Sequence, residues 1–269
     1  MADWAPTAET FERFGAGVTA MVNGASRGLG LAFCRRLLEI PRVERVYAGC
    51  RAPESAGELR ALEASGGGRL HVLPVDVTSE ASLAEAVSRM TAESTTLNLV
   101  LNVAGLLHRY DHQGAGPGPE RRLADVTPDW LVESFRVNAA GPLLIAKHVQ
   151  SLLPRREHAV FASLSARVGS IEDNRLGGWY AYRGSKAAQN MFTRGLAIEL
   201  KRRCPGIVCV GLHPGTTDTG LSAPFQRGVP AGKLFSPDRA AGHLLAVIDG
   251  LGVQDNGSFR AWDGQPIPW

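Results

Sequence analysis

Tyr182 and Lys186 stand four residues apart in an amphipathic stretch that opens at Tyr180. On a helix that spacing puts a phenol and an ammonium on one face. A nearby cation favours the phenolate, so the expected tyrosine has its pKa drawn down toward working pH and can both give and take a proton. An apolar run with strand character, 159–164, delivers Ser165, whose hydroxyl is suited to hold the oxygen being protonated. These three groups suit acid–base work on a carbonyl or an alcohol, and the rest of the chain must supply a redox partner.

Apolar runs at 18–22, 43–50, 70–75, 97–103, 158–164, 207–212 and 259–262 read as strands. Helical patterns fall at 31–40, 54–64, 79–92, 127–153, 180–203 and 236–251, with Pro142 expected to kink the fourth. Strict β/α alternation predicts an α/β chain: a doubly wound parallel sheet of about seven strands in three αβα layers. No linker-like composition shift or internal repeat interrupts it, so residues 18–269 read as one domain and 1–17 as a surface extension anchored by Phe11 and Phe14. Such sheets bind ligands outside the C-terminal ends of their strands, where the residues singled out here all fall.

The 269 residues are 44% hydrophobic and 20% charged, ordinary for a globular chain, with a net charge of +3. Arginine pairs such as Arg35-Arg36 and Arg202-Arg203 are scattered rather than blocked, which argues against a nucleic-acid or membrane face. Four cysteines without C-x-x-C or metal-ligand spacing suit reduced thiols, and no metal is expected. No apolar run approaches the roughly 18 residues of a membrane helix. The first residues are too acidic for a transit peptide and lack a signal-peptide core, so a cytoplasmic location is expected.

Gly24-x-x-x-Gly28-x-Gly30 lies between the first strand and first helix, with Ser26, Arg27 and Leu29 in the same turn. Small residues there let a ligand phosphate reach the amides of a helix N-terminus. The second strand ends at Arg51, with no acid to hold a ribose 2′-hydroxyl. Arg51 and Arg27 therefore favour NADP(H) over NAD(H). Asp76-Val77 closes the third strand, where Asp76 could take an adenine amino group or cap the next helix. Asn102, Ala104 and Gly105 close the fourth, with Asn102 read as a cofactor contact or a bridge between strands. The irregular segment 216–235 is apolar enough to form a lid. Its Leu221 and Phe225, with Trp179, are candidate substrate-wall residues for an apolar carbonyl compound.

Together with Asn138, Ser165, Tyr182-x-x-x-Lys186 and Pro214-Gly215, these segments resemble the short-chain dehydrogenase/reductase family over 18–262. The stretches Ser165-Ala-Arg-Val-Gly-Ser-Ile, Gly-Gly-Trp-Tyr-x-Tyr-Arg and Ala261-Trp262-Asp263-Gly264 look like its C-factor and carbonyl-reductase-like branch. Asn23 and Val103 depart from the family's usual Thr and Asn. The resemblance implies a Rossmann-type fold and NADP(H)-dependent interconversion of a ketone or aldehyde with an alcohol. It makes Tyr182 the general acid or base and has Lys186 lower its pKa and hold the nicotinamide ribose. Ser165 would bind the substrate oxygen, and Asn138 would position a water leading from Lys186 to solvent. Pro214, Gly215, Thr217 and Thr219 would lie beside the nicotinamide carboxamide. A homodimer or homotetramer paired through the helices at 127–153 and 180–203 is also implied. The alternative is an NAD(P)-binding signalling protein of the C-factor type with little turnover.

Overall fold

A computed structural model describes residues 4–93, 95–111 and 113–269; residues 1–3 of the N-terminal extension lie outside the described residues. The strands are β1 (Val18–Asn23), β2 (Val43–Cys50), β3 (Leu70–Pro74), β4 (Leu99–Asn102), β5 (Ala159–Leu164), β6 (Ile207–His213), β7 (Thr216–Thr217), β8 (Leu234–Phe235) and β9 (Ser258–Ala261). Seven of them form one sheet in the order β3-β2-β1-β4-β5-β6-β9, and every adjacent pair is parallel. The helices are α1 (Gly28–Glu39), α2 (Gly57–Ser65), α3 (Glu80–Ala92), α4 (Pro128–Phe135), α5 (Gly141–Val149), α6 (Tyr180–Lys201) and α7 (Pro237–Gly250).

Successive strand residues point to opposite faces, and the apolar pattern obeys that period of two. Ala20 and Val22, Leu99 and Leu101, and Val160 and Ala162 enter one core with Leu31 and Leu37 of α1 and Leu244 and Ile248 of α7. Their neighbours Met21, Val100 and Phe161 enter the other, with Leu83 of α3, Ile145 of α5 and Leu196 of α6. Both faces are covered, so β4 and β5 are buried along their whole length. The strand order reverses about β1 and β4, opening a crevice at their C-terminal ends.

Three features refine the pattern read from the sequence. Residues 127–153 do not form one kinked α-helix. A π-type turn, Arg136–Ala140, joins α4 to α5, and the Gly141 N–H reaches back five residues to Arg136. Pro142 explains its place: it has no N–H to offer the Asn138 carbonyl four residues earlier. Segment 216–235 is not wholly irregular, because β7 pairs with β8 on either side of a 3₁₀ turn, Ala223–Gly228. Phe11 and Phe14 anchor the N-terminal extension deep in the first core; the Phe11 N–H donates to Asp249 Oδ1 at 2.7 Å. Phe14 meets the His158 ring edge-on just before β5, at the sheet edge opposite the crevice.

Candidate active site

The turn after β1 has little room for side chains. A Cβ on Gly24 would stand 2.6 Å from the Ala104 nitrogen, and one on Gly30 would stand 2.1 Å from the Gly24 carbonyl oxygen. Gly24 and Gly28 also hold φ of 86° and 55°, which only glycine adopts without strain. Thr219 closes over this turn, its Cγ2 3.2 Å from where a Gly28 Cβ would be, and Leu221 packs beside Gly105. Thr217 is buried, and its Oγ1 has no partner among the described residues. Ser26 lies half-buried in the turn, and Leu29 is buried at the start of α1. Arg27 and Arg51 are exposed, and neither forms an ion pair among the described residues. A backbone cradle, an unpartnered buried hydroxyl and two uncommitted guanidiniums together fit a phosphate-bearing dinucleotide.

Other residues of this half hold the crevice in shape. Asn102 accepts from Asn23 Nδ2 at 3.2 Å and donates to the Ala162 carbonyl and Ser163 Oγ, so it bridges β1 and β5 across β4. Asp76 accepts from both the N–H and the hydroxyl of Thr78 at 2.8 Å, while Ser79 caps α3. Burial works to raise the Asp76 carboxyl. The Thr78 bonds and the Arg51 and Arg136 cations outweigh it and hold the carboxyl below its ordinary range. Val77 packs against Gly141 at the head of α5. Gly215, with φ 74°, sits under Phe235 and Trp262 after Pro214.

α6 turns a polar face inward: Tyr182, Ser185, Lys186, Gln189, Asn190 and Thr193 are all buried. Burial of so many polar groups requires partners, and each of the central ones has them. Lys186 Nζ donates to the Leu164 carbonyl at 2.6 Å and to Gln189 Oε1 at 2.9 Å. Ser165 Oγ donates to Asn190 Oδ1 at 2.7 Å. Asn138, in the π-type turn, donates to the Leu106 carbonyl and Ser185 Oγ and accepts from the Leu106 N–H. Its side chain is thus held by three bonds to protein partners.

The electrostatics correct one expectation. Tyr182 is not drawn down by Lys186: burial pushes its phenol well above the ordinary range. Burial pushes the Lys186 ammonium down to about 7, while its two acceptors work the other way. The ammonium lies 5.8 Å from the Tyr182 ring centroid and directs protons to Leu164 and Gln189, so its field does not offset the loss of water. His213 is held neutral by burial, at about 4.

The loop entering α6 is clamped from both sides. Gly177, Gly178 and Trp179 all have positive φ, an unusual setting for a tryptophan. The Glu120 carbonyl accepts the Trp179 N–H at 2.6 Å, and its buried carboxylate accepts the Ala181 N–H at 3.2 and 3.3 Å. Arg183 donates to the Gly177 and Gly178 carbonyls. Trp179 is thereby set 6.3 Å from Tyr182 and 5.0 Å from Phe225, ring to ring. Phe225 also meets His108 and Tyr110, and the His108 Nε2–H donates to the Gly220 carbonyl at 3.1 Å.

Sequence reasoning missed Ser185, Gln189, Asn190, Glu120, His108 and Tyr110. The first three had a visible signal: polar types at 182, 185, 186, 189, 190 and 193, the spacing of a helix face meant for the core. The others act across long chain separations from a loop with no periodicity.

The short chain dehydrogenase family matches residues 18–229. The chain is 31% identical over 252 residues to 1-hydroxy-2-glutathionyl-2-methyl-3-butene dehydrogenase of Rhodococcus sp. (strain AD45), covering 93% of this chain and 99% of that protein. It is 37% identical over 147 residues to the C-signal of Myxococcus xanthus, covering 55% of this chain and 83% of that protein. Its fold matches the NADPH-bound carbonyl reductase from chicken fatty liver with a TM-score of 0.81 at 28% identity, over 97% and 98% of the two chains. The glycine turn, the parallel sheet and the inward polar face of α6 therefore belong to an oxidoreductase of the short chain dehydrogenase family.

Proposed function

We propose that this oxidoreductase interconverts a ketone or aldehyde with its alcohol, using NADP(H) and the groups Ser165, Tyr182, Lys186 and Asn138. The observation that carries this reading is the Lys186–Leu164 bond, which joins the helix bearing Tyr182 to the strand end bearing Ser165. The turn of Gly24, Gly28 and Gly30 would hold NADPH, which would supply the hydride when bound. Tyr182, kept protonated by burial, gives its proton to the substrate oxygen as the carbonyl becomes an alcohol. Ser165 holds that oxygen, and Lys186 stands as the nearby positive charge that meets the phenolate left behind. The Asn138 turn is the route by which the proton is replaced from solvent. Arg27 and Arg51 make the 2′-phosphate the preferred mark of the cofactor, a preference in line with the NADPH held by the chicken carbonyl reductase.

On the substrate side, Trp179, Leu221 and Phe225 supply an apolar wall that suits an apolar, ring-bearing carbonyl compound. Exposed Val132 and Phe135 on α4 and Met191 and Ile198 on α6 form an apolar surface. It supports pairing of two copies through these helices, readable by light scattering of wild type against Phe135→Glu. The buried, unpaired cysteines suit a cytoplasmic setting, and no helix among the described residues is long and apolar enough to cross a membrane.

The test is NADPH consumption over a panel of aldehydes, ketones and quinones by wild type and Tyr182→Phe. Turnover by the wild type that falls about a thousandfold in the variant supports the reading; turnover unchanged in the variant overturns it. The match to the C-signal favours a second reading, a nucleotide-binding signalling protein. Tight NADPH binding with no turnover over the whole panel would select it.

A further inference from the structure

Asn190 lies on the inward face of α6, one turn beyond Lys186 and two beyond Tyr182, and is 4% exposed. Its side chain makes two bonds, one to Ser165 Oγ at 2.7 Å and one to the Gly169 carbonyl at 3.3 Å. The second fixes the sense of the first. A backbone carbonyl only accepts, so the amide nitrogen must face Gly169 and the amide oxygen must face Ser165. The Ser165 hydroxyl is then the donor, and its one proton is committed to Asn190.

Gly169 ends the 3₁₀ turn Arg167–Gly169 that follows Ser165. That turn lies directly on α6, since a Cβ on Gly169 would come within 2.7 Å of Lys186 Cβ. One amide therefore ties together the strand end carrying Ser165, the turn after it and the helix carrying Tyr182 and Lys186. A serine hydroxyl turns freely about χ1 and its C–O bond unless something holds it, and no hydrogen bond to Ser165 Oγ other than that of Asn190 occurs among the described residues.

We propose that Asn190 is a positioning residue for the carbonyl–alcohol reaction, acting through Ser165. It holds Oγ in one rotamer and keeps its proton in a bond that a substrate oxygen must take over. The proposal rests on the reading of Ser165 as the substrate-oxygen contact. Held this way, Oγ already stands in one rotamer when the substrate oxygen takes over its proton; released, it samples several, and the loss falls on kcat rather than on cofactor binding.

The experiment is a double-mutant cycle of wild type, Ser165→Ala, Asn190→Leu and the double variant. It is read as kcat and KM for NADPH-dependent carbonyl reduction and as NADPH affinity by fluorescence. Asn190→Leu is expected to lower kcat about tenfold with NADPH affinity unchanged, and to cost nothing more once Ser165 is alanine. An equal loss in the presence and absence of the Ser165 hydroxyl overturns the proposal and makes Asn190 a structural tie to Gly169. If the leucine variant does not fold, Asn190→Ala takes its place in the same cycle. Crystal structures of wild type and variant decide the matter without turnover: Ser165 Oγ staying in its wild-type rotamer overturns the proposal, and its departure supports it. A wild type without turnover, or a Ser165→Ala variant as fast as wild type, counts instead against the function assigned to the site.

Discussion

Lys186 Nζ donates at 2.6 Å to the carbonyl oxygen of Leu164, the residue immediately before Ser165. The ammonium is thus held by the backbone of a buried strand end and sits 3% exposed, far from the water that would favour its charge. A lysine in this position carries a tension between two bonds that want it protonated and a surrounding that does not.

That tension sets a pH dependence of stability. The Lys186 pKa falls from 10.5 to about 7 on folding. Between these values the unfolded chain binds a proton that the folded chain lacks, so stability rises with pH through this window. Below it both states are charged and the full cost of the buried ammonium is felt. Thermal unfolding of the cofactor-free protein is expected to show a midpoint that climbs from neutral to alkaline pH, and Lys186→Met is expected to lose most of that climb. Parallel curves for the two proteins would show that Lys186 keeps its proton when buried.

The raised phenol of Tyr182 makes a separate kinetic prediction. A group that stays protonated at neutral pH is ready to act as an acid and must be deprotonated to act as a base. Alcohol oxidation should therefore accelerate as pH rises from about 7 to about 9, while reduction gains nothing from the same change. Oxidation already at its full rate at about pH 7 would show that burial does not hold the phenol protonated once cofactor is bound.

The reach of the sequence can be judged residue by residue. The alternation of Ala20, Met21 and Val22 between two faces, the glycine turn and the Tyr182–Lys186 pair are local patterns, and local patterns fix elements and their inward faces. The π-type turn was half legible, because Pro142 announced a break but not that the Gly141 N–H would reach back five residues to Arg136. Glu120 was not legible at all. Its bond to Ala181 spans 61 residues and depends on where an aperiodic loop lies in space. The electrostatics of Tyr182 were misread for a related reason: spacing reveals that a cation is near, while burial and the direction of its protons decide what it does.

Arg51 offers a test of cofactor choice that leaves the chemistry alone. It follows Cys50, the last residue of β2, at the C-terminal end of the strand, with its guanidinium outside any ion pair among the described residues. Arg51→Ala should weaken NADPH binding about tenfold, the loss of one charge-assisted contact, and leave NADH binding within about twofold. Equal weakening of both, or of neither, in fluorescence titrations would move the 2′-phosphate away from Arg51.

The ring cluster above Tyr182 makes the last prediction. Trp179 comes from the loop clamped by Glu120 and Arg183, while Phe225 comes from the turn after β7, and their rings meet at 5.0 Å. His108 fastens the Phe225 segment through Gly220. Removing the Phe225 ring leaves each of these fastenings in place and takes away only wall area, which on an apolar ligand is worth about 1–2 kcal/mol, or about a tenfold change in affinity. Phe225→Ala should therefore raise KM for bulky ring-bearing ketones about tenfold while leaving that for a small aldehyde, and kcat for both, nearly unchanged. Equal KM values for wild type and variant across the size series would remove this wall from the substrate path and leave the Phe225 cluster as packing between loops.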